Sequence, residues 1–96
     1  MTTKEMKELL ATKLHEEGTY FTKSDISIKK IKDGYRIVIK DYEHIPFELK
    51  MEQDDFFGYM TMITANGREV YFSDSKRAYD PFNAILHLGY YIGSRF

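Results

Sequence analysis

The sequence predicts an α+β domain with an N-terminal and a C-terminal helix packed on one face of a five-stranded antiparallel β-meander, in the order α-β-β-β-β-β-α. Three observations carry that prediction. Apolar residues at both ends of the 96-residue chain recur at helical spacing, and apolar and polar residues alternate through its middle. The dipeptides Asp33-Gly34 and Asn66-Gly67 each sit between two β-prone runs, as hairpin turns do. Short turns between successive strands make neighbours antiparallel.

The first helix is expected over Thr3 to Glu17. Thr2 followed by Glu5 forms a capping-box pattern, and Met6, Leu10 and Leu14 recur at i, i+4 and i+8. Gly18 suits the left-handed residue that closes a helix. Thr19 to Asp25 then connects to the sheet, with Tyr20 and Phe21 expected to anchor it.

The first hairpin runs from Ile26 through Asp33-Gly34 to Lys40. A two-residue loop places Ile28 opposite Ile39, and a three-residue loop places Ile31 opposite Tyr35; the shorter loop is the preferred reading. Asp41 to His44 reads as a turn. Ile45, Phe47, Leu49 and Met51 then alternate with polar residues, and Pro46 marks a strand start because it cannot donate to a ladder. Glu52 to Asp55 is an acidic turn into the second hairpin.

That hairpin is the strongest local signal. Asn and Gly tolerate the positive φ that a type I′ turn needs at both central residues. Regular pairing about Asn66-Gly67 sets Ile63 opposite Val70 and Thr61 opposite Phe72 on the core face, with Phe57 and Tyr59 continuing the row. Met60, Met62 and Tyr71 then share the other face. Asp80-Pro81 begins the second helix, with an N-cap acceptor and proline at the first helical position. Its expected buried stripe is Phe82, Ile85, Leu86, Gly89 and Ile92, joined by Phe96. Close packing against the sheet accounts for Gly89. The core expected from these patterns is Leu10, Leu14, Phe47, Leu49, Ile63, Val70, Phe72, Phe82, Ile85 and Ile92. Residues 1–96 read as a single domain, without repeat, linker or low-complexity segment.

Composition excludes several function classes. With no cysteine there is no disulfide framework, thiolate zinc site or thiol nucleophile, and a reducing cytoplasm fits. The charged N-terminus lacks the apolar run of a signal peptide, and no segment approaches the ~20 apolar residues of a membrane span, so no membrane partner is expected. Net charge is −1, which gives no global attraction to nucleic acid. His15, His44 and His87 have no metal-ligand spacing, the glycines form no phosphate loop, and no serine sits in a nucleophile elbow. Glu52, Asp54 and Asp55 lack the alternating ligands of a calcium loop. The sequence therefore implies no enzyme, cofactor or metal.

Two surfaces remain as partner sites. Met60, Met62 and Tyr71 form the first, on a sheet face expected to be open. Methionine repacks readily and tyrosine is favoured at interfaces. The implied function is a small non-catalytic interaction or regulatory module that occupies a surface of another protein or of a second copy. An accessory protein of a phage or mobile element is a role that suits so compact a chain. The second surface is the basic hairpin of Lys29, Lys30, Lys32, Arg36 and Lys40 with Tyr35, which implies single-stranded nucleic-acid binding. Against it, residues 41–55 carry six acidic side chains and one lysine. A small enzyme with a pocket of scattered residues is the third reading.

Overall fold

The computed structural model describes residues 1–40, 42 and 46–95. Asp41, Glu43 and His44, expected in a turn, Ile45, expected in a strand, and Phe96, expected on the stripe of the second helix, lie outside that set. The elements are α1 (Thr3–Glu16), β1 (Ile26–Ile31), β2 (Gly34–Ile39), β3 (Phe47–Asp54), β4 (Gly58–Ala65), β5 (Arg68–Ser75) and α2 (Pro81–Arg95), with a 3-10 turn at Lys23–Asp25. The five strands form one sheet in sequence order, every neighbouring pair antiparallel. This is the predicted α-β-β-β-β-β-α meander. Among the described residues, no helix is long and apolar enough to cross a membrane.

Local chemistry builds the helices as expected. The Thr2 hydroxyl accepts from the Glu5 amide at 3.1 Å, and the Glu5 carboxylate accepts from the Thr2 amide at 3.0 Å. Those bonds satisfy donors that a helix start leaves orphaned and hold the Glu5 carboxyl below its ordinary pKa. Gly18 takes φ 87° past the end of α1. At the other helix, the Asp80 carboxylate accepts from the Asn83 amide at 3.3 Å. The Asp80 amide donates to the Thr61 hydroxyl at 2.9 Å, which pins the start of α2 to β4.

Both helices cover the same sheet face. Met6, Leu10 and Leu14 of α1 and Ala84, Ile85, Leu88 and Ile92 of α2 close over Ile26, Ile37, Ile39, Phe47, Leu49 and Ile63. Phe21 and Tyr42 extend this core as an aromatic chain, edge-on to each other at 6.3 Å, with Tyr42 stacked on Phe47 at 6.0 Å. Tyr20, expected beside Phe21 as an anchor, is exposed.

Three expectations give way to tertiary contacts. In the first hairpin the two-residue loop is present, but its residues are Lys32 and Asp33, so Ile26 opposes Ile39 and Ile28 opposes Ile37. Asp33 takes the positive φ of 63°. Gly34 enters β2 instead, because the Leu49 carbonyl occupies the place a Cβ would take. A slip of two residues keeps every side chain on its own face. In α2 the buried stripe is centred between Leu88 and Ile92, and Phe82, about a quarter turn away, is half exposed. The close approach at Gly89 is to α1, where an added Cβ would lie 2.8 Å from the Cβ of Lys13.

The third difference changes which side chains the open sheet face carries. The Asn66-Gly67 turn forms as predicted, both residues at positive φ (53° and 78°), and Ala65 opposes Arg68. The ladder then slips between Ile63 and Thr64, leaving Val70 as the extra residue of a bulge. Beyond it Ile63 opposes Tyr71, Met62 opposes Phe72 and Thr61 opposes Ser73. A slip of one residue reverses the faces. Tyr71 therefore turns towards the helices, and Phe72, expected in the core, turns outward and is 41% exposed. Val70 is partly buried against the core.

Candidate interaction surface

The sheet face away from the helices is built row by row from the strand registers. Lys29, Arg36, Glu48 and Thr64 form one row across β1 to β4. Ile31, Gly34, Lys50, Met62 and Phe72 form the next, spanning all five strands. Glu52, Met60 and Asp74 form a third across β3 to β5. Met62 and Phe72 are direct cross-strand neighbours, with Met60 two residues along the same strand face. The result is an apolar strip over β4 and β5, bordered on β3 by Glu48, Lys50 and Glu52 and on β5 by Asp74.

Of the three contact residues read from the sequence, the structure brings Met60 and Met62 together on this face. Tyr71 is on the other face, with its ring 5.1 Å from that of His87 on α2. Phe72 takes its place. The bulge that exchanges them has no signature of its own, because Val70-Tyr71-Phe72 is apolar throughout. Asp74 does hold a clue, since a core-facing Phe72 would carry Asp74 inward two residues later. In the structure, Asp74 is exposed and the small Ser73 and Ser75 take the helix face.

The basic hairpin does not gather on one face. Lys29 and Arg36 are cross-strand partners on the open face, and Arg36 lies 3.8 Å from Glu48. Lys30 opposes Tyr35 on the helix face, where Tyr35 packs against the core. Lys32 is in the turn and Lys40 follows β2. Tyr35 is thus removed from the platform on which bases would stack.

The acidic stretch before β4 has a structural occupation. The Asp54 carboxylate accepts from the amides of Phe56 and Phe57 at 2.7 and 3.0 Å. These donors, the Phe57 amide foremost, hold its carboxyl below the ordinary aspartate pKa. They fix a turn that presents Phe56, 77% exposed, edge-on to Phe57 at 5.0 Å. Lys76 reaches the Phe56 carbonyl and lies 5.9 Å above its ring. Among the described residues, no group of three His, Cys, Asp or Glu side chains is placed to hold a metal ion. His15 and His87 are exposed on different helices.

Comparison with protein-family models, with curated proteins and with solved structures finds no match for this chain.

Proposed function

We propose that this protein is a small, non-catalytic, cytoplasmic interaction module that acts by laying the open face of its sheet on a surface of another protein. The observation that carries this reading is the exposure of Phe72 beside Met62 on a face that neither helix covers. An aromatic ring gains most from being taken out of water, and methionine adapts its shape to a partner. The flanking charges give that strip a polar rim of both signs, the usual anatomy of a protein interface. Nucleic-acid binding draws less support, because Tyr35 packs against the core on the helix face and Arg36 already neighbours Glu48.

The test is affinity capture from extract of the native cells, with and without nuclease, comparing the natural protein with a Met62→Ser/Phe72→Ser variant. The expected result is a partner held by the natural protein and lost by the variant, with the variant still cooperatively folded. Sedimentation of the purified chain identifies a second copy as that partner. Retention of the partner by the variant overturns the proposal. So does recovery that requires intact nucleic acid, falls steeply with salt and disappears in a Lys29→Ala/Arg36→Ala variant.

A further inference from the structure

On the helix side of the sheet, well away from the open face, α2 carries His87, Tyr90, Tyr91, Ser94 and Arg95 at i, i+3, i+4, i+7 and i+8. That spacing places them along one stripe of the helix. The stripe borders the start of β5, and between them lies a cleft of ≈330 Å³ that Arg68 also lines. We infer that this cleft binds a small phosphomonoester, its phosphate held between Arg68 and Arg95 and its organic part against the aromatic wall of His87 and Tyr90.

Both guanidinium groups are available for an anion. Among the described residues, neither has a carboxylate within ion-pair distance, and the Arg68 side chain has no hydrogen-bond partner. An arginine fork matches phosphate oxygens two at a time. Arg95 is already oriented: its guanidinium lies 3.7 Å from the Tyr91 ring centre, and one nitrogen donates to the Tyr91 carbonyl at 3.4 Å and to the Ser94 hydroxyl at 3.3 Å. Those bonds use one end of the fork and leave the other donors free. His87 is flanked by the Tyr71 and Tyr90 rings at 5.1 and 6.3 Å, which limits how its imidazole can turn.

Charge favours the same ligand. Arg68 and Arg95 supply two positive charges, Glu69 supplies one negative, and the C-terminal end of α2 adds about half a negative charge. Those contributions leave a positive balance in the cleft. The volume lies at the small end of ligand sites, which fits a phosphate with one ring and not a dinucleotide.

The experiment follows backbone amide resonances of the whole chain during titration with inorganic phosphate, with phenyl phosphate, and with sodium chloride at matched ionic strength. Saturable shifts are expected around Arg68, His87 and Arg95 with both phosphates. Phenyl phosphate should bind several-fold more tightly, because stacking on an aromatic wall adds to the phosphate contacts. Arg68→Gln and Arg95→Gln, both at exposed positions, should each weaken binding by about tenfold or more. No saturable shift by about 10 mM phosphate, equal shifts with sodium chloride, or unchanged binding in both variants would each overturn the inference. None of these outcomes bears on the open face.

Discussion

Phe72→Ala distinguishes the bulged pairing of β4 and β5 from the regular pairing that the sequence alone favours. In the regular register Phe72 is a core residue, and its truncation costs about 3–5 kcal/mol. In the structure the ring is 41% exposed, so only about three fifths of its surface leaves water. Full burial of such a side chain is worth about 1.5–3 kcal/mol, and an open site adds no enclosed cavity. The expected cost is therefore about 1–2 kcal/mol. For a chain this size, that lowers the melting temperature by about 4–16 °C at 4–8 °C per kcal/mol. Ile63, fully buried opposite Leu49 and Tyr71, should lose about 2–5 kcal/mol on truncation to alanine. Urea unfolding followed by circular dichroism measures both. Runs at two protein concentrations separate any loss of self-association, which depends on concentration. A Phe72→Ala cost equal to that of Ile63→Ala at both concentrations would refute the bulge and restore Phe72 to the core.

Two further outcomes are expected. Gly34→Ala should destabilise more than Gly67→Ala, as urea midpoints will show: the first drives a methyl group into the Leu49 backbone carbonyl, whereas the second meets open space and bears only the strain of φ 78°, worth about 1 kcal/mol. Equal midpoints would contradict the placement of Gly34 inside β2. Asp54 has its pKa lowered in the folded state, so its contribution is present above the unfolded value near 3.9 and lost as pH falls through the folded value. Melting temperature against pH should therefore drop less steeply below about pH 4 in Asp54→Asn than in the natural protein, and parallel curves would show that the turn bonds do not discriminate between charged and neutral side chains.

The chain's own residues determined whatever local chemistry decides. Thr2 and Glu5 cap α1, Asp80 and Pro81 start α2, and Asn66-Gly67 adopts the turn it favours; each outcome depends on neighbours within four residues. Period-two alternation likewise placed Phe47 and Leu49 on the core face. Tertiary structure decided what those patterns leave degenerate. Val70-Tyr71-Phe72 satisfies either register, and the bulge that sends Tyr71 towards His87 and Phe72 to the surface depends on β5 meeting both β4 and the helix above it. That Met60 and Met62 share one sheet face was legible because no register change intervenes between them. The cleft of Arg68 and Arg95 was not legible, since it joins positions 27 residues apart in sequence whose approach depends on how α2 lies across β5. Local preference acts over a few residues at energies near 1 kcal/mol, and the choice between two equally apolar faces belongs to the packed core.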